Sequence, residues 1–145
     1  MRPPRRADGA APGEPTRDVV EAFISALNSR DPELIAGCVA EDFVNEHTSS
    51  LGHSLSGRAA YRDRLRGFLD EFRDLHYELE DLIVDGSRAA APYVMTFRWH
   101  GGGGAPVPVR IRGIFRFEVA GGLVRRRVDY WDSAEFERQV RPAAR

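Results

Sequence analysis

The sequence predicts an α+β domain, with helices gathered at the front and a curved antiparallel sheet wrapped around them over an internal pocket. Three observations predict it. Apolar residues recur at helical spacing as far as Phe72, then switch to a period of two. The segments of the second half are joined by short turns, which imply antiparallel pairing of neighbours. Helices that precede such a meander pack on one face of the sheet, and a sheet that curls around them leaves a cavity between the layers.

Met1–Pro15 is Pro, Gly, Ala and charge without periodicity, and reads as a disordered arm. Thr16–Ser29 reads as a helix, capped by Thr16 or Asp18, with Val20, Phe23, Ile24 and Leu27 on one face. Asp31-Pro32 restarts the chain as N-cap and first helical residue of a short helix carrying Leu34, Ile35, Cys38 and Val39. Asp42–Thr48 reads as a strand with Phe43, Asn45 and His47 on one face, and Ser49–Ser56 as a loop. Arg58–Phe72 is a third helix, its apolar face made by Tyr61, Leu65, Phe68, Leu69 and Phe72.

The strands follow. Leu75–Val84 alternates, and Asp85-Gly86 is a hairpin signal. Arg88–His100 sets Tyr93, Met95, Phe97 and Trp99 against Val94, Thr96, Arg98 and His100, with Pro92 marking a bulge or an exposed edge. After the glycine loop Gly101–Pro106, Val107–Val119 sets Val109, Ile111, Gly113, Phe115 and Phe117 against a row of arginines. Ala120–Gly122 turns the chain into the last strand, Leu123–Asp132, and Ser133–Val140 reads as a closing helix. Residues 16–141 are thus one domain, followed by a short tail, 142–145.

Composition narrows the classes of function. The 145 residues carry a net charge of −1, which gives no general attraction to nucleic acid or membrane surfaces. All 21 basic residues are arginine, a bias that reads as codon usage rather than an arginine-specific function. The single cysteine, Cys38, excludes an internal disulfide and reads as a buried core thiol. Four histidines without carboxylates at ligand spacing make no metal motif. No apolar run approaches the ~18 residues of a membrane span, and no apolar segment follows the arginines at the start as in a secretory signal. A cytoplasmic location is the default expectation.

The residues that stand out for chemistry centre on Asp129-Tyr130-Trp131-Asp132. A carboxylate among aromatics at a strand end is costly to bury, which makes Asp129 a candidate acid or base. A structural salt bridge from Asp129 to Arg125 or Arg127 is the alternative.

The opening VVEAFISALNSRDPELIAGCVAEDF, the helix entry Gly57-Arg58-Ala59 and the end RGIFRFEVAGGLVRRRVDYWDSAEFERQ together resemble the SnoaL-like branch of the nuclear transport factor 2-like superfamily. That branch includes polyketide cyclases, and limonene-epoxide hydrolase is similar. The resemblance spans about Arg17–Val140. It implies a cone-shaped sheet around an apolar cavity, without a cofactor, and acid/base proton transfer on a hydrophobic oxygenated small molecule such as a polyketide or terpenoid. It also implies Asp129 as the catalytic carboxylate. The epoxide hydrolases of this type use two aspartates bridged by an arginine, with a tyrosine and an asparagine. Asp129 and Arg98 match two of these positions, His100 stands at the second aspartate, and Asn45 and His47 fall near the other pair.

The expected site is therefore Asp129 as acid/base, Arg98 to orient it or stabilise charge, and His100 and His47 as polar partners. Asn45, Phe43, Tyr61, Phe115 and Trp131 are expected to line the substrate pocket. With Arg98 facing inward, the aromatic face of its strand would face outward, and a homodimer through the outer sheet face would cover it. A non-catalytic small-molecule-binding or protein-interaction module on the same fold is the alternative function, and epoxide hydrolysis the third.

Overall fold

The computed structural model describes residues 14–141. The expected tail, and the expected arm apart from Glu14 and Pro15, lie outside the described residues. Helix α1 spans Glu14–Ser29, two residues longer at its start than the sequence suggests. Thr16 and Asp18 are therefore inside the helix, and neither caps it. Thr16 Oγ1 instead donates to Gly86 O at 2.7 Å, tying the helix to a distant hairpin. Val20, Phe23, Ile24 and Leu27 are buried, as their spacing predicts. In α2, Pro32–Gly37, Asp31 is the N-cap and accepts from Glu33 N at 2.9 Å. Leu34, expected in the core, is exposed, and Cys38 is only half-buried.

Strand β1 spans Val39–His47 and β2 only Leu55–Ser56. Helix α3, Arg58–Glu71, stops one residue early because Phe72 opens β3, Phe72–Leu79. What reads as one strand over Leu75–Val84 is two, β3 and the short β4, Ile83–Asp85. Gly86, at φ 62°, makes the tight turn into β5, Arg88–Trp99. Pro92 explains the break. Its carbonyl accepts from Glu80 N at 2.8 Å, so its missing N–H faces the same side, where β3 has ended and β4 has not begun. Strands β6, Val107–Ala120, and β7, Leu123–Trp131, complete the meander, and α4 spans Ser133–Val140.

The sheet runs β2-β1-β7-β6-β5-β3, with β4 also on β5. All pairs are antiparallel except β1–β7. That parallel pair departs from the consecutive pairing expected from the loops. Its register places Asn45 beside Arg127 and His47 beside Asp129. Helices α1 and α3 pack into the concave face, and the core between them is lined by alternate residues of β5, β6 and β7.

The alternation of β5 is opposite to the one expected. Tyr93, Met95 and Phe97 are buried, while Arg98 and His100 are exposed on the outer face. Burial decides this: the inward row packs against Phe72 at the start of β3 and Phe136 of α4, and an arginine in that apolar row would lose its hydration. The aromatic row is thus covered by the chain itself, which removes the argument for a second subunit over it.

Candidate functional site

Along β7, Arg127, Asp129 and Trp131 alternate inward. Along β1, Phe43, Asn45 and His47 do the same, as their spacing predicts. These two strands lie side by side, so their polar residues meet along one wall of an internal cavity of about 270 Å³. Its exposed lining residues are Leu51 and His53 before β2 and Arg64 and Glu71 of α3. The opposite wall is aromatic, built from Phe68, Phe72, Phe97, Trp99 and Phe136.

Asp129 is 5% exposed. Its Oδ1 accepts from Tyr93 Oη at 2.6 Å. Its Oδ2 accepts no hydrogen bond among the described residues and stands 3.6 Å from His47 Nδ1. Burial raises the Asp129 pKa to about 6; the Arg127 charge and the Tyr93 hydrogen bond hold it from rising further. The same desolvation pushes the Tyr93 phenol well above its ordinary range, and the neighbouring carboxylate adds to it, so Tyr93 acts only as a donor.

His47 has the opposite bias. Burial first, then the charges of Arg127 and Arg64, lower its pKa to about 3, so the ring is neutral. Trp131 Nε1 donates to its Nδ1 at 3.2 Å, which assigns the ring proton to Nε2. Gly52 lies against the ring so closely that an added Cβ would stand 3.0 Å from its Cγ. Asn45 Nδ2, 3.5 Å from Nε2, is too far away to fix the ring.

Arg127 is buried beneath this pair. Its Nε and Nη2 both donate to Asn45 Oδ1, at 3.1 and 2.8 Å. The rings of Phe115, Phe23 and Tyr61 surround its guanidinium at 5.0, 5.4 and 5.8 Å. Asp129 and Arg127 therefore do not form the direct salt bridge considered as the alternative for Asp129.

Of the residues singled out in the sequence, Asp129, His47, Asn45, Tyr61 and Trp131 line the cavity. Phe43 and Phe115 do not line it; they are fully buried behind it, against Tyr61 and Tyr93. Arg98 and His100 are corrected outright: both lie on the solvent side of β5, away from Asp129. The residues missed are Tyr93 and Arg127. The signal for both was the period of two, which puts Tyr93 with Met95 and Phe97, and Arg127 with Asp129 and Trp131. Among the described residues no cluster of His, Cys, Asp and Glu has the geometry to hold a metal ion, and no helix is long and apolar enough to cross a membrane.

A bent sheet around three helices, with a buried carboxylate in a largely apolar cavity, defines a cone-fold α+β domain. The family model of the SnoaL-like domain matches residues 20–127, and the chain belongs to that family, within the nuclear transport factor 2-like superfamily. Among solved structures, a candidate ketosteroid isomerase from Kribbella flavida is 30% identical, with a TM-score of 0.64 over 92% of this chain and 82% of its own. A candidate polyketide cyclase from Xanthomonas campestris is 26% identical, with a TM-score of 0.74 over 88% of this chain and 98% of its own. An epoxide hydrolase of the limonene-epoxide hydrolase-like type from M. tuberculosis shares the fold at 20% identity and a TM-score of 0.74, over 89% and 92% of the two chains. None of the curated proteins matches this chain in sequence.

Proposed function

We propose that this protein is a cofactor-free enzyme that moves a proton on a hydrophobic, oxygenated small molecule, in an isomerisation or cyclisation, with Asp129 as the acid/base group. The observation that carries this reading is the state of Asp129. One oxygen is fixed by Tyr93, the other is free in the cavity, and the pKa lies near 6. A carboxyl group with that pKa exchanges its proton readily near neutral pH, which suits it to take a proton from one carbon and return it to another.

The other groups support that role by position. Tyr93 locks the carboxylate rotamer and offers a donor that strengthens as charge develops on Oδ1. His47, neutral and held by Trp131, fixes the wall beside Oδ2 without competing for the proton. The aromatic wall keeps water from the reacting atoms, so the field of Arg127 acts with little screening.

The test is solvent-deuterium incorporation into a panel of ring-sized ketones and lactones, monitored by mass spectrometry. Asp129→Asn should lose at least a hundredfold in exchange rate while keeping its fold and its affinity for the same compounds. A variant that exchanges as fast as the parent rejects Asp129 as the acid/base group. A parent that binds the panel without any exchange supports the other reading, a binding module on the same fold.

A further inference from the structure

The proton-transfer reading draws on the walls of the cavity but not on the segment that passes over them. Five large apolar residues are exposed among those described, and of these only Leu51 lines the cavity. Leu51 is 42% exposed and belongs neither to the core nor to the side chains packed against it. A single apolar residue on a surface needs no reason. One that also lines a largely apolar cavity has a free face that a ligand can cover, and covering it is favourable.

Leu51 lies in the middle of a short strap, Ser49–Ser54, whose two ends are tied to the centre of the site. At the first end, Thr48 N and Thr48 Oγ1 both donate to Asp129 O, at 3.1 and 3.2 Å. At the other, Ser54 Oγ accepts from His47 N at 3.0 Å. Between them Gly52 crosses His47 with no room for a Cβ, so Leu51 and His53 are carried on either side of that ring. A ligand that reaches Asp129 Oδ2 beside His47 therefore lies next to Leu51.

The middle of the strap has little else to hold it. Gly52 N donates to Ser49 O at 3.0 Å, a bond internal to the strap. Among the described residues its one hydrogen bond to the rest of the chain joins Ser50 to Ser133, Oγ to Oγ at 3.0 Å. Ser133 is the first residue of α4, the helix that carries Phe136 into the aromatic wall. A segment with fixed ends and one exposed bond across its middle belongs to the low-stability part of a structure.

From these contacts we infer that Leu51 is a specificity-determining contact for the ligand, carried on a strap that is latched to α4 by the Ser50–Ser133 pair and opens together with it. The inference deepens the proposed function and rests on the cavity being its ligand site. Strap and helix form a cover in two pieces: Leu51 closes on the ligand from the His47 side and Phe136 from the aromatic side. The part of the ligand beside Leu51 is apolar, because a charged or strongly hydrated group there would be desolvated by the leucine without a partner.

The experiment has two arms, both on the full chain. The first is native-state amide exchange. Ser50→Ala should speed exchange several-fold in the strap and, by a similar factor, in α4, as the loss of one net hydrogen bond allows. Ser133→Ala should do the same although it places a better helix former in α4, and the double variant should exceed neither single one. The second arm reads binding of N-phenyl-1-naphthylamine, a neutral fluorophore, by quenching of Trp99 and Trp131, both in the cavity wall. Leu51→Ala should weaken it about tenfold with the Tm of the free protein unchanged, and Leu51→Met should restore it to within about twofold. Ser50→Ala should raise its dissociation rate by the factor seen in exchange.

Faster exchange confined to the strap in Ser50→Ala overturns the latch. Binding by Leu51→Ala as tight as the parent's overturns the contact. A parent that does not bind the fluorophore at all, with exchange in strap and α4 still coupled, rejects the cavity as an apolar ligand site and leaves the two-piece cover standing. Uncoupled exchange with normal binding rejects the cover and leaves the proposed function standing.

Discussion

His47 and Asp129 face each other across two parallel strands, Nδ1 to Oδ2 at 3.6 Å, and burial pushes their pKa values in opposite directions. The carboxyl group rises to about 6 and the imidazole falls to about 3. Both shifts favour the uncharged form. Between those values the pair holds one proton, and it sits on the aspartate.

The first prediction concerns stability. Asp129, raised from 3.8 to about 6, contributes stability that is fully present below pH 4 and is lost as the pH rises through 6. His47, lowered from 6.5 to about 3, contributes stability that is present above pH 6.5 and is lost as the pH falls toward 3. The two largely cancel in the parent protein, because between pH 4 and 6 the folded state keeps a proton on Asp129 while the unfolded state keeps one on the histidine. Single variants should unmask them. Relative to the parent, Asp129→Asn should become progressively more stable from pH 4 to 6 and then level off, by up to about 3 kcal/mol at about 1.4 kcal/mol per pH unit. His47→Gln should show the reverse, gaining relative stability as the pH falls below 6.5. Urea unfolding of the three proteins across this range checks it, and parallel curves would contradict the assignment of the proton.

The second prediction concerns Tyr93 and the glycine beneath it. The Tyr93 hydrogen bond lowers the Asp129 pKa. Tyr93→Phe should therefore raise it, moving the acid limb of the pH–rate profile upward by about one unit. Gly113 sits on β6 directly opposite Tyr93. A Cβ there would come within 2.6 Å of Tyr93 Cζ and 2.8 Å of Tyr130 O, so it must displace the phenol or spread the sheet. Gly113→Ala should reproduce the upward shift of the limb while retaining the hydroxyl itself. An unmoved limb in both variants would show that Tyr93 does not set the proton affinity of Asp129.

Most of the fold was legible because burial leaves a periodic trace. The helical faces of α1 and α3, the alternation of β1, the turn at Asp85-Gly86 and the N-cap at Asp31 all follow from local chemistry that a sequence displays. The site was legible to the same extent: Asp129, Asn45 and His47 share a cavity because each lies on the inward row of its own strand. The parallel pairing of β1 with β7 was not legible, since the partners lie 82 or more positions apart and no loop length fixes their register. Nor was the inward row of β5. Matching Arg98 and His100 to another family's arginine and aspartate overrode a simpler local signal: four large apolar residues alternate with polar ones, and the apolar row belongs inside.

The third prediction follows from that correction. Arg98 and His100 are exposed on the outer face of β5, and neither forms a side-chain hydrogen bond or ion pair with a described residue. Arg98→Ala and His100→Ala should each leave activity within twofold and stability within about 0.5 kcal/mol. A hundredfold loss of activity from either would return these residues to the site and reject the register of β5.

The last prediction tests α4 as the cover of the cavity. The helix is held at its start by Asp132, whose Oδ1 accepts from Ala134 N at 2.9 Å, and near its end by Gln139, which bonds both Arg110 N and Arg110 O on β6. Between these anchors Phe136 reaches Trp99 at 5.0 Å and stacks toward Phe72 and Phe97, closing the aromatic wall. Removing an N-cap costs about 1 kcal/mol. In a helix of eight residues that loss falls on few other contacts, so it should act on local opening rather than on global unfolding. Asp132→Ala should therefore speed amide exchange in α4 several-fold and raise the dissociation rate of an aromatic ligand by a similar factor, with the global unfolding midpoint nearly unchanged. Faster exchange without faster dissociation would mean that ligands leave past the 48–54 loop and α3 instead, and that α4 is a wall rather than a cover.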